Sequence, residues 1–164
     1  MSNSRRYSNG TAIDVMSPTF TDTSLNAVIH CDGFGAALVQ ETVPFFNGGS
    51  GLQSLRLVRD GFTVYKPFSG DCWGNDTFSS HTIGKSVAAG LDGLTDAYNL
   101  AVADGFPATV NLVGFSAGGL DAMSWAMQNP WLVNKLYLHF PCFSIESTAE
   151  TPILETSITN AWGA

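Results

Sequence analysis

Ser116 is the residue with the plainest chemistry in the chain. It lies in Gly114-Phe115-Ser116-Ala117-Gly118, a Gly-x-Ser-x-Gly spacing. The apolar run from Val110 to Val113 precedes it, and a helix-like segment from Leu120 to Gln128 follows, stopping at Asn129-Pro130. A strand that turns at once into a helix bends so sharply that side chains two places before and after the central residue collide, which calls for glycine at 114 and 118. The serine hydroxyl is then held at the carboxyl end of the strand, with the positive end of a helix behind it. Such a hydroxyl can attack a carbonyl carbon, and the Ala117 N–H is placed to receive the charge that develops on the carbonyl oxygen. The spacing alone is a weak signal, since roughly 0.2 chance matches are expected in a chain of this composition. Its weight comes from the strand and helix that flank it.

Acyl transfer at a serine also needs a second oxyanion donor, a base and an acid that orients the base. Asp32-Gly33-Phe34-Gly35 follows the first apolar strand at once, and the Phe34 N–H is the candidate donor. The chain holds three histidines, His30, His81 and His139. His30 stands at a strand end and reads as a structural or oxyanion-loop residue. His81 opens a long helix and reads as an exposed neighbour of its cap. His139 ends a later strand; a packed core histidine is the commoner use of such a position, and it is also the candidate base. Phe34, Phe68, Trp73 and Phe78 fall in loops at the expected mouth, with Phe34 and Trp73 as candidate contacts for an apolar acyl or aromatic group.

The elements that must position these residues alternate. Residues 1–24 are polar and predict a flexible arm or a short edge strand, ahead of a single domain over 25–164. Leu25–Cys31 reads as a strand and Ala36–Glu41 as a short helix. Leu52–Asp60 reads as a helix with Leu52 and Leu55 on one face, closed by Gly61. Phe62–Lys66 is a second strand and Pro67–Ser80 a long loop. Thr82–Ala103 is the best helix, with Ile83, Val87, Leu91, Leu94 and Tyr98 on one face. Val110–Val113 is a third strand. The helix after Ser116 places Leu120, Met123 and Met127 on one side, a core pattern. Lys135–Phe140 is a fourth strand, and Pro141–Ala164 shows no strong period. About four strands joined by long crossovers predict an α/β fold, a predominantly parallel sheet with helices on both faces.

This order of elements, with Gly-Phe-Gly after the first strand and Gly-Phe-Ser-Ala-Gly-Gly after the third, resembles the front half of an α/β-hydrolase of the lipase and esterase kind, from about Leu25 to Phe143. The resemblance implies that the first strand lies beside the strand leading to Ser116, so that the amides of Phe34 and Ala117 converge. It implies hydrolysis of a carboxylic ester through an acyl-enzyme on Ser116, and no cofactor or metal. In that family the acid usually follows a later strand and the histidine the last one, whereas no histidine lies beyond His139 here; a minority of members place the acid after the strand that here ends near His139, which makes Glu146 the candidate acid. The expectation is an incomplete domain, completed by a second polypeptide or working weakly. A non-catalytic hydrolase-like binding or assembly module is the alternative.

Composition narrows the partners. Hydrophobic residues make up 45% of the chain and charged ones 13%, which suits a covered sheet rather than a disordered chain. A net charge of −7 argues against nucleic acid and against anionic membranes. The resemblance to the hydrolases implies a small-molecule or lipid-like ester as the partner. Gly33-Phe34-Gly35 is also a partial dinucleotide fingerprint, but its third glycine position holds Leu38, and the pattern fails. Cys31, Cys72 and Cys142 have neither disulfide nor zinc spacing. Arg5-Arg6 is followed by no apolar run, and no stretch approaches the ~20 residues of a membrane span. A cytoplasmic location is the expectation, with virion-associated or exported placement left open.

Overall fold

The computed structural model describes residues 1–31, 51–68, 83–115 and 117–139. They form one six-stranded sheet in the order β1-β2-β4-β3-β5-β6. The strands are β1 (Ser2–Ser8), β2 (Thr11–Ser17), β3 (Val28–Cys31), β4 (Val64–Phe68), β5 (Val110–Phe115) and β6 (Val133–His139). The helices are α1 (Gly51–Arg59), α2 (Ile83–Ala103) and α3 (Ala117–Gln128). From β4 through β3 and β5 to β6 every pairing is parallel, while β1 and β2 join as an antiparallel hairpin on the β4 side.

The hairpin replaces the expected flexible arm; the other reading, a short edge strand, agrees with β1 at the sheet edge, but a second strand follows it. Residues 2–17 are a continuous part of the sheet, and the strand count rises from about four to six. Its turn is Asn9-Gly10, both with positive φ, 49° and 90°. This left-handed pair matches the twist of the flanking strands and is the favoured two-residue hairpin turn. Polar β1 takes the sheet edge, while β2 buries Ile13, Val15 and Met16. The fully buried Asp14 carboxylate is met by Arg5 from β1, Nε at 2.7 Å and a terminal nitrogen at 3.1 Å, a two-point charge-assisted pair.

Strand alternation divides the core between the two faces of the sheet. On one, Ile13, Ile29, Tyr65 and Leu112 pack with Leu94, Ala97 and Ala101 of α2 and with Ala122 and Trp125 of α3. On the other, Met16, Val28, Val64 and Val113 pack with Val58 of α1. The helix faces differ in part from those read in the sequence. In α1, Leu55 is exposed, and Ser54 and Val58, one turn apart, go inward. In α3, Met123 and Met127 are half-buried while Ala122 and Trp125 enter the core. Helices α1 and α2 end alike. Gly61 and Gly105 have positive φ, the Gly61 N–H donates to the Val58 carbonyl and the Phe62 N–H to that of Leu57, and Gly105 and Phe106 repeat the pattern on Val102 and Ala101. In this termination the glycine takes the left-handed conformation and the following phenylalanine folds back on the helix.

Candidate functional site

Strand β5 lies inside the sheet between β3 and β6, and its last residue is Phe115. Helix α3 begins at Ala117, so a single residue, Ser116, separates strand from helix. Ser116 itself lies outside the described residues, as do Phe34, Trp73, His81 and Glu146, and the segment Ala36–Glu41 expected as a helix. The elements around Ser116 are described closely. A Cβ built on Gly114 would stand 2.6 Å from the Gly119 Cα, 2.8 Å from the Gly118 carbonyl oxygen and 2.9 Å from the Ala122 Cβ. No real side chain tolerates such distances. The helix therefore doubles back against its own strand with only hydrogen atoms between them, and small residues at 114, 118, 119 and 122 permit it. The first amides of α3, beginning with that of Ala117, have no acceptor within the helix and carry its positive end.

Two neighbouring strands bring further groups to the same end of the sheet. Strand β3 pairs with β5 as expected, and its last residue, Cys31, is level with Gly114. The carboxyl end of β3 therefore lies beside that of β5. On the other side, His139 ends β6 level with Phe115. Its half-buried ring meets the Phe115 ring edge-on, with centroids 5.4 Å apart and planes at 62°. Tyr137 lies behind it at 6.5 Å. Of the expected site residues, then, the structure brings Gly114, Gly118, the start of α3 and His139 together.

His30 is fully buried, and its Nδ1 lies 3.2 Å from the Oγ of Ser54, also fully buried, in α1. The reading of His30 as a structural residue agrees with that position. Its partner was not foreseen, because Ser54 lies off the face marked by Leu52 and Leu55. The one signal for it is the four-residue interval from Ser54 to Val58.

A cavity of about 320 Å³ opens on the α1 face, lined by Val28, Gln53, Leu57, Phe62, Val113 and Tyr137 among others. It lies against the middle and amino-terminal parts of β3, β5 and β6, away from the carboxyl ends where Ser116 follows β5. Among the described residues no three His, Cys, Asp or Glu side chains gather as a metal site, and no helix is long and apolar enough to cross a membrane.

No protein-family model matches the sequence, and no curated protein is similar to it in sequence. Solved structures match the fold. A dienelactone hydrolase-like protein of Klebsiella pneumoniae aligns with a TM-score of 0.62 at 17% identity, over 85% of this chain and 59% of its own. Brefeldin A esterase, described as a bacterial homologue of human hormone-sensitive lipase, aligns at 0.61 and 16%, over 85% and 39%. A 2-hydroxy-6-oxo-6-phenylhexa-2,4-dienoate hydrolase from a Rhodococcus strain aligns at 0.56 and 18%, over 83% and 44%. The chain thus spans between 39 and 59% of the length of these three structures. With a mostly parallel sheet, β3 between β4 and β5, and the abrupt passage from β5 into α3, the chain has the α/β-hydrolase fold.

Proposed function

We propose that the chain is a serine hydrolase acting on carboxylic esters. The observation that carries this reading is the contact of Gly114 with Gly118 and Gly119 across a one-residue passage from β5 to α3. A turn that tight needs a reason, and projecting a nucleophile at position 116 is one. The Ser116 Oγ attacks the ester carbonyl carbon while the base takes its proton. The oxyanion is held by the amides of Ala117 and Phe34. The alcohol leaves with the proton, and water then repeats the sequence on the acyl-serine. His139 is the base available within the chain and Glu146 the acid. Phe34 and Trp73 would contact an apolar acyl or aromatic group.

A second reading shares the nucleophile but takes the base and acid from another polypeptide. It is favoured by the ring contact between His139 and Phe115. A fluorophosphonate probe tests what both share: Ser116 labels, and Ser116→Ala abolishes labelling. A nitrophenyl ester separates them. Steady turnover lost in His139→Ala supports the self-contained enzyme. Labelling without turnover supports the divided one. A chain that does not label at Ser116 is a hydrolase-like binding or assembly module.

A further inference from the structure

We infer that the groove between α1 and β6 binds a small monocarboxylic acid with an apolar tail, at a site separate from Ser116 and independent of the ester-hydrolase reading. Its floor is three neighbouring strands. In β5, Val110 and Leu112 pack on the α2 and α3 side of the sheet and Val113 on the α1 side, so by alternation Asn111 also faces α1. Pairing sets the rest of the floor. Val28, Asn111 and Lys135 stand level across β3, β5 and β6, and Val113 and Tyr137 stand level one row further on. Gln53 and Leu57, one turn apart on α1, form the wall together with Phe62, and wall and floor enclose about 320 Å³. That is the small end of the range for ligand sites.

The two sides of the groove differ in chemistry. Toward α1 and β3 the lining is Val28, Leu57, Phe62 and Val113; toward β6 it includes Asn111 and Lys135. Arg5, Arg6 and Arg59 each pair with an aspartate, but no carboxylate of the described residues lies within salt-bridge distance of Lys135. Asn111 accepts from Asn134 Nδ2 through its Oδ1 at 2.8 Å, which leaves its own Nδ2 hydrogens to donate. Adjacent strands are about 4.8 Å apart. One carboxylate can therefore meet the Lys135 ammonium and the Asn111 amide together, and both bonds are charge-assisted. A single cation matches a singly charged head rather than a phosphate. The apolar side takes the tail and supplies affinity without direction, while the donors at β6 fix which end goes where.

Octanoate is titrated into the full chain while NMR follows the methyl signals of Val28, Leu57 and Val113 in the groove and of Leu120 and Ala122 in α3. Octanamide, with the same tail and no charge, is titrated in parallel. Both are repeated in Lys135→Gln, Lys135→Arg and Ser116→Ala. Lys135 is exposed, so its replacement should leave the fold in place. Octanoate should shift the groove methyls saturably and leave Leu120 and Ala122 unmoved, in wild type and Ser116→Ala alike. Octanamide should bind about tenfold more weakly, and Lys135→Gln should weaken octanoate about tenfold without affecting octanamide, as expected for loss of one charge-assisted bond. Lys135→Arg should recover most of the affinity. Equal binding of octanoate and octanamide to wild type overturns the inference, and so does octanoate binding unchanged in Lys135→Gln. Saturation confined to Leu120 and Ala122 overturns it by placing the acid at the Ser116 end. Absence of saturable shifts overturns it too, and groove signals that then move with protein concentration assign the surface to a second copy of the chain.

Discussion

At the scale of single residues, Gly114 is where sequence and chemistry meet most directly. Its absent side chain is what lets α3 start one residue after β5 ends. In Gly114→Ala the new methyl meets backbone at Gly119 and Gly118, which cannot rotate away as a side chain can. The helix must shift, at a cost of about 1–3 kcal/mol for an overpacked site, and its first amides shift with it. The expected outcome is a lower thermal midpoint together with loss of fluorophosphonate labelling at Ser116. Retained labelling at the wild-type rate would remove the geometric argument for a nucleophile there. This close approach of helix to strand was legible in the sequence because its requirement is local: glycines at fixed offsets between a strand and a helix. The His30–Ser54 pair was not, since its members are far apart in the chain and Ser54 has no distinguishing neighbour. His139 shows the intermediate case. Its place at a strand's end could be read, but its contact with Phe115 depends on the β5–β6 register, which no local pattern specifies.

At the scale of elements, helix ends were more legible than helix faces. Gly61 was read as a terminator, and it and Gly105 both adopt left-handed φ, 100° and 92°. Gly105 has open space where a Cβ would stand. Replacing it with alanine therefore tests backbone conformation alone, with an expected destabilisation of about 1 kcal/mol. Since Gly105 is far from the β5–α3 passage, Gly105→Ala should lower the urea midpoint and leave the Ser116 labelling rate unchanged, the opposite pairing to Gly114→Ala. An equal loss of labelling in the two would mean that labelling reports stability rather than site geometry. The faces of α1 and α3 were misread for one reason. Large apolar residues attract attention, but the sheet also takes small ones, Ser54 in α1 and Ala122 in α3, both without exposure, beside the larger Val58 and Trp125. The hairpin was missed differently. Its Asn9-Gly10 turn is a strong local signal, yet the polar run from Ser2 to Arg6 lacks the apolar alternation by which strands are recognised. β1 can be polar because it needs only one neighbour and lies at the sheet edge.

At the scale of the whole molecule, one cluster ties the unforeseen hairpin to the rest and makes stability depend on pH. Tyr65 of β4 donates to Asp104 Oδ2 at 2.7 Å, and Arg6 of β1 pairs with the same carboxylate oxygen. Asp104 directly follows α2, whose last turn contains no basic residue of its own. The Arg6 guanidinium thus supplies from β1 the positive charge that a helix carboxyl end favours. Phe106 completes the cluster, edge-on to the Tyr65 ring at 6.0 Å and 86°. Burial, first, and the bond to Asp104, second, push the Tyr65 hydroxyl well above its ordinary value of 10. The folded chain therefore keeps this proton where the unfolded chain releases it. The stabilisation is fully present below pH ~10 and falls as pH rises beyond it, because ionisation then favours the unfolded state. Urea unfolding of wild type and Tyr65→Phe between pH 8 and 11 should show the variant less stable at pH 8, by about 1 kcal/mol for the lost hydrogen bond. The variant should also be less sensitive to pH above 10, so that the two curves converge. Ionisation of the remaining tyrosines and lysines is common to both proteins and cancels in the comparison. Parallel curves up to pH 11 would mean that Tyr65 ionises alike in both states. The link from Arg6 through Asp104 to Tyr65 would then hold the hairpin to α2 without the buried hydroxyl that the structure gives it.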